Sequence, residues 1–245
     1  MEEKIVPIGI DEVFSFSCGK SVPCFNECCQ DLNQFLTPYD ILRLKNCLHM
    51  TSTDFLEAYT MQHTGPETGL PVITLKPTDQ TRLVCPFVTE DGCRVYPDRP
   101  GSCRIYPLAR MISRSRETGA VTEHWALLQE PHCKGFFQDR KTTVRDWIQS
   151  QGLADYNEMN DLLMEIISLK NQRAPGPLDF KSARAFHMAC YDLDSFREKV
   201  FDTGEFESAD FDDAILRKAK EDDGALLKVS LGWLKKMLFG ETVDK

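Results

Sequence analysis

Eight of the ten cysteines in this 245-residue chain fall into two groups. The first is Cys18-x5-Cys24-x3-Cys28-Cys29, and the second is Cys85-x7-Cys93-x9-Cys103, closed by Cys133. Thiolates are soft ligands that select zinc, copper(I) or iron–sulfur clusters, and an all-thiolate zinc site or a cubane cluster takes four of them. The alternative is a disulfide framework, which belongs to oxidising compartments and mostly to small secreted domains. The N-terminal stretch carries Glu2, Glu3, Asp11 and Glu12 and has no basic, then apolar, leader pattern. Bound metal is therefore the expected use of the cysteines, and the cytoplasm the expected location.

The spacings exclude the familiar single-metal motifs. Cys24-x3-Cys28 opens like a radical-SAM signature, but its third cysteine would have to stand at position 31, which is Asp31. There is no Cys-x2-Cys knuckle of the zinc-finger kind and no ferredoxin spacing. The two groups are thus expected to interleave and share ligands. Neighbouring side chains diverge, so Cys28 and Cys29 are expected to serve different metals, or one of them none; a vicinal disulfide would need an oxidant. His132, beside Cys133, is an outside candidate ligand, and His124 a weaker one. No G-x-G-x-x-G, P-loop, G-x-S-x-G or H-E-x-x-H is present.

Charge follows the cysteines. Residues 82–116 hold seven arginines, no lysine and three acids (Glu90, Asp91, Asp98). Four thiolates on one zinc ion leave about two net negative charges, which guanidinium donors can offset. Arg99 and Arg104, which flank Cys103, are the candidates for that role. Residues 192–223 hold twelve acids against five bases and should face solvent, where a basic partner could read them. A net charge of −9 argues against general nucleic-acid binding, and no stretch approaches the roughly 18 apolar residues of a membrane span.

The elements that must position these residues can be read in outline. Thr37-Pro38-Tyr39-Asp40 starts a helix, with Thr at the cap, Pro at the first position and an acid in the first turn. Ile41, Leu44, Cys47 and Leu48 follow at helical spacing, so Cys47 reads as a packing residue. Ser52 or Thr53 begins a second helix. Residues 71–76, 81–88 and 93–96 read as short strands, and 107–114 with 121–128 as an antiparallel pair turning across Glu117-Thr118-Gly119. From about 139 the pattern predicts helices over 142–151, 155–171, 180–190, 193–202 and 208–238, the last interrupted near Gly224. Trp147, Leu162, Leu163, Ile166, Phe186 and Trp233 stand on their apolar stripes, and Cys190 is expected to pack among them. The fold class is α+β: a small cysteine-rich metal-binding module with short antiparallel strands over 1–138, completed by a mainly helical region over 139–245.

Phe16-x-Cys18 with Cys24-x3-Cys28-Cys29, the Thr37–Leu44 segment, and Cys-Pro-Phe-x4-Gly-Cys-x-Val-Tyr-x2-Arg-Pro-x2-Cys-Arg-x-Tyr-Pro over 85–107 form one long joint pattern. It resembles the YkgJ-type cysteine-cluster family over roughly residues 14–135. That family is described as a zinc- or iron-chelating domain, and flagellin lysine-N-methylase is similar to it in the cysteine region. The resemblance implies metal binding by Cys18, Cys24, Cys28, Cys29, Cys85, Cys93, Cys103 and Cys133, with zinc or an iron–sulfur cluster as cofactor.

Three functions follow as expectations. The first is a cytoplasmic iron–sulfur protein with a redox or electron-transfer role, enzymatic in the manner of an iron–sulfur oxidoreductase, and with an unknown protein or redox partner. The second is a structural zinc protein acting as an interaction module. The third is protein-lysine methylation, for which no glycine-rich S-adenosylmethionine loop is present.

Overall fold

The structure is a computed structural model that describes residues 4–30, 32–114, 121–203 and 211–240. In chain order the strands are β1 (Lys4–Ile8), β2 (Val13–Ser15), β3 (Phe35–Leu36), β4 (Thr60–Thr64), β5 (Pro71–Leu75), β6 (Val88–Thr89), β7 (Gly92–Cys93), β8 (Leu108–Arg114), β9 (Val121–Gln129) and β10 (Lys141–Thr143). The helices are α1 (Pro38–Cys47), α2 (Ser52–Tyr59), α3 (Gly101–Ile105), α4 (Val144–Ser150), α5 (Ala154–Arg173), α6 (Phe180–Cys190), α7 (Leu193–Phe201), α8 (Asp213–Glu221) and α9 (Asp223–Phe239). The class is α+β, with short antiparallel sheets and a helical C-terminal region. The chain divides into two compact units. Unit 1 comprises residues 1–32, 78–96 and 101–154, and unit 2 comprises residues 33–77, 97–100 and 155–245.

Unit 1 is built on an antiparallel sheet in the order β1-β9-β8, whose hairpin register runs from Leu108 opposite Leu127 to Arg114 opposite Val121. The hairpin turn expected across Glu117–Gly119, and Arg116 with it, lies outside the described residues. Phe14, Phe16, Leu108, Trp125, Leu127, Val144 and Trp147 form the apolar core, and Cys133 is part of it. Phe16 is its hub, meeting the rings of Tyr106, Phe136 and Trp147 edge-on at 5.8, 5.3 and 5.5 Å. Such edge-to-face pairs satisfy the ring quadrupoles while filling the core. The indole of Trp147 donates to the Ile105 carbonyl at 3.1 Å, which fixes the end of α3.

Two expected strands in this unit are corrected. Residues 81–88 and 93–96 form turns, apart from the four residues of the β6–β7 hairpin and a 3-10 turn over Tyr96–Asp98. Their valines and threonines favour strands, but local contacts win. The Asp79 carboxylate accepts from the Thr81 and Arg82 amides at 2.8 and 3.2 Å, and Leu83 takes a left-handed φ of 49°. Neither is compatible with an extended run.

Unit 2 follows its sequence signals closely. Thr37 and Asp40 form a reciprocal capping box at the start of α1: the Asp40 amide donates to Thr37 Oγ1 at 3.3 Å, and the Thr37 amide to Asp40 Oδ2 at 2.8 Å. Thr51 caps α2 and Asp179 caps α6 in the same sense. The helices α6, α7, α8 and α9 pack on one another, and α1 packs on α2 and α9. Leu163, Ile166 and Phe186 are buried here, and Trp147 in unit 1, whereas Leu162 and Trp233 are half-buried. Cys190 is buried, and Cys47 half-buried at the last residue of α1. The last helix is broken at Asp222, two residues before Gly224.

The acidic run at 192–223 faces solvent at Glu198, Asp202, Asp212, Asp213, Glu221 and Asp222, but not throughout. Its residues 204–210 lie outside the described residues, and several of the others are engaged internally. Asp192 accepts from Ser52 Oγ at 2.7 Å, and Asp194 from the Ser52 amide at 2.7 Å. Lys45, only 5% exposed, bridges Asp194 and Asp223 at 3.2 and 3.0 Å. A buried ammonium needs such carboxylates, so these acids neutralise a cation of the unit itself.

Candidate metal centre

All eight cysteines of the two groups, together with Arg104, belong to unit 1. The first arm is drawn onto the second by backbone bonds: the Cys85 amide donates to the Cys29 carbonyl at 2.9 Å and the Leu32 amide to the Leu83 carbonyl at 2.8 Å. Side chains add to this. Asn26, itself left-handed at φ 69°, donates to the Thr89 carbonyl at 2.8 Å, and Lys20 pairs with Asp91 at 2.7 Å. Gly92 closes the β6–β7 hairpin at φ 114°, and a Cβ there would stand 3.0 Å from the Phe25 ring. This hairpin delivers Cys93, while the single turn of α3 delivers Cys103.

The result is two thiol neighbourhoods. Cys29 lies close enough to Cys28, Cys85 and Cys103 for each to perturb its titration, and Cys85 is similarly close to Cys93 and Cys28. Cys24 and Cys133 form a second neighbourhood, in which each sulfur perturbs the other, and the buried Tyr106 hydroxyl lies near Cys133 without a hydrogen-bond partner among the described residues. Among the described residues, no three His, Cys, Asp or Glu side chains are drawn tightly enough around one point to hold an ion as they stand. The thiols are gathered rather than closed into a coordination shell. Cys18 is exposed. None of the ten cysteines, all of them described, is in a disulfide.

The Cys28 and Cys29 thiols stand close enough to couple their titrations, although neighbouring side chains are expected to diverge. They share a 3-10 turn over Glu27–Cys29, and their thiols meet in a hydrogen bond. Successive residues of a 3-10 turn differ by about 120° rather than by the half-turn of a strand, so two short side chains can converge. That bond pulls Cys28 down to about 7, with burial opposing, and pushes Cys29 well up.

Backbone amides are aimed at the other sulfurs. Lys134 N–H donates to Cys24 Sγ at 3.0 Å. Burial raises the Cys133 thiol, while Tyr106 and the Gly135 amide work against that rise. Burial likewise raises Cys85, against the amides of Phe87 and Val88. Hydrogen bonds of this kind stabilise anionic sulfur and are the usual second layer of a thiolate-bound metal. Gly135 must be glycine, since a Cβ would lie 2.5 Å from Phe16 and 2.8 Å from the Ser17 carbonyl.

Several of these groups were not singled out from the sequence. Tyr106 and the amides of 87, 88, 134 and 135 carry no motif of their own, although Tyr106 stands in the Cys-Arg-x-Tyr-Pro pattern. Burial, then the Cys133 sulfur, holds the Tyr106 phenol well above its ordinary value, so it stays protonated and able to donate. Arg104 donates through Nη1 to the Gln151 carbonyl at 2.7 Å. Arg99 belongs to unit 2, nearly buried, and its carbonyl accepts from Tyr156 at 3.3 Å. His132 lies 3.7 Å from Glu130, and His124 is 3.4 Å from Ser113 Oγ.

The donor set suits a soft cation. Thiols that raise one another's proton affinity cannot all ionise unaided, and a bound cation removes that penalty while the amides hold the sulfurs' orientation. A comparison with family models gives the same chemistry. Residues 17–145 match the model of the CxxCxxCC family, described as a putative zinc- or iron-chelating domain. The match takes in just over half of the chain and all eight grouped cysteines, and the chain belongs to that family. Its cofactor is accordingly zinc or iron. No curated protein and no solved structure matches the chain.

Proposed function

We propose that the chain is a cytoplasmic iron–sulfur protein with a redox or electron-transfer role. The carrying observation is the set of backbone amides directed at sulfur around Cys24, Cys85 and Cys133. Hydrogen bonds to sulfur are one of the means by which a protein sets a cluster's reduction potential. Cys28, Cys29, Cys85, Cys93 and Cys103 would hold the metal, with Cys18, Cys24 and Cys133 as further ligands. Five thiols gathered about Cys29 and Cys85 exceed the four of a closed zinc site, which leaves one to exchange. Bound there, a cluster supplies one-electron chemistry. The residues supply negative charge and the hydrogen bonds that tune it. Among the described residues no helix is long and apolar enough to cross a membrane.

The test is anaerobic purification followed by metal and sulfide analysis. A cluster gives a brown protein absorbing near ~400 nm, whereas d10 zinc is colourless. Stoichiometric zinc without iron or sulfide would replace this reading with that of a structural zinc module. Isotope transfer from S-adenosylmethionine to a lysine-containing protein would support methylation instead.

A further inference from the structure

Cys24 and Cys133 stand apart from the other grouped thiols. Cys24 comes from the arm before the 3-10 turn, and Cys133 from the turn after β9, yet Cys24 packs against the apolar cluster that contains Cys133. The amide of Lys134, the residue after Cys133, donates to Cys24 Sγ at 3.0 Å, which holds that sulfur at the Cys133 turn. The turn itself is fixed by the Ser17 amide on the Gly135 carbonyl at 3.1 Å and by the lack of room for a side chain at Gly135. Cys24 is half-buried and Cys133 is only 7% exposed. Reagents therefore reach the pair from the Cys24 side.

From this geometry we propose that Cys24 and Cys133 form a peroxide-sensitive dithiol, which closes into a disulfide when the metal is absent and staples the first cysteine arm to the second. The oxidant is a hydroperoxide. The Cys24 sulfur attacks one peroxide oxygen: an S–O bond forms, the O–O bond breaks, and the leaving hydroxide takes up the Cys24 proton as water. The Cys133 sulfur then attacks the resulting sulfenic acid: the S–S bond forms, the S–O bond breaks, and a second water leaves with the Cys133 proton. Two thiols and one hydrogen peroxide give one disulfide and two waters. A neighbouring thiol that resolves the sulfenic acid also protects it from irreversible oxidation. The proposal rests on the metal-binding reading only in expecting that bound metal competes for the same two sulfurs.

The experiment uses the full chain, stripped of metal by a chelator and treated anaerobically with one equivalent of hydrogen peroxide. Free thiols are then alkylated, and the protein is digested without reduction. The expected result is a Cys24–Cys133 cross-link more abundant than every other pair. It should be retained in Cys28→Ser and lost in Cys24→Ser. A dominant Cys28–Cys29 or Cys29–Cys85 bond overturns the proposal, as does loss of the 24–133 bond in Cys28→Ser. Protein loaded with zinc beforehand should cross-link more slowly. If the same bond forms at an unchanged rate with zinc retained, the dithiol stands and the assignment of these two sulfurs to the metal falls.

Discussion

In unit 2 a residue's place is set by the helix in which it stands, and in unit 1 by the atom to which its backbone is tied. Four helices of unit 2 begin at Thr37, Thr51, Asp179 and Asp222, each of which accepts an amide of the first turn, and the helices of the unit bury Ile166, Phe186 and Phe196 from regular stripes. Unit 1 has an aromatic core, but its cysteines sit on turns, two-residue strands and one short helix. Those segments are held by amide-to-sulfur bonds and by the clasps of Asn26, Lys20 and Gly92. A periodic apolar face specifies structure without help. A run of sulfur-bearing turns is specified fully only together with its cation.

The harshest way to break the comparison is to cut the chain after residue 138. This removes Val144 and Trp147 from the core of unit 1 and α5 to α9 from unit 2. We expect the fragment to precipitate even when metal is supplied, because short strands need a packed layer to cover their apolar face. A soluble, fully metallated fragment would show that the cysteine arms fold alone.

A sharper test separates the two kinds of specification within the intact chain. Chelation should release the amides of Phe87, Val88, Lys134 and Gly135 to hydrogen exchange while those of α6 and α9 keep their protection. Conversely, Phe196→Ala should cost about 3–5 kcal/mol by leaving a cavity, since Phe196 is fully buried, with metal content unchanged. Uniform loss of protection on chelation would merge the two cases.

The smallest expected effect is electrostatic. Burial pushes the Asp223 carboxyl up, but hydrogen bonds from Asn46 and Lys45 and the charges of Lys45 and Arg197 outweigh it, so its value is lowered overall. A carboxyl lowered in the folded state stabilises above its unfolded value of about 3.9, and that contribution is lost as pH falls through the folded value. Asp223→Asn should therefore lower the melting temperature at neutral pH, with the gap to wild type closing below about pH 4. A gap independent of pH would assign the effect to packing.

The same contrast governs what could be read from the chain beforehand. The capped starts of α1 and α2, the β8–β9 hairpin and the run of C-terminal helices are written in local signals of cap, period and turn. The two cysteine groups were equally plain. What stayed hidden depends on contacts between distant segments or on short-range backbone geometry. The turns at 81–87 come from the Asp79 carboxylate and the left-handed Leu83, which override a strand-forming composition. The five residues of α3 are too few for a period to show. The meeting of the Cys28 and Cys29 thiols follows from a 3-10 turn that no pattern announces. The internal pairing of Asp192, Asp194 and Asp223 needs partners from residues 45–53, which sequence distance conceals.

One corner of unit 2 bears on how the chain can change by insertion and deletion. Asp222 is at once the C-cap of α8 and the N-cap of α9: its amide donates to the Lys218 carbonyl at 2.9 Å, and its side chain accepts from the Ala225 amide at 2.6 Å. The corner has no slack. Each residue gained or lost there would rotate α9 by about 100° about its axis. Leu226, Leu227, Val229, Leu231 and Leu234, all buried, would swing out of register together. The spot can accept another short polar acceptor in place of Asp222, but it fixes the spacing on either side.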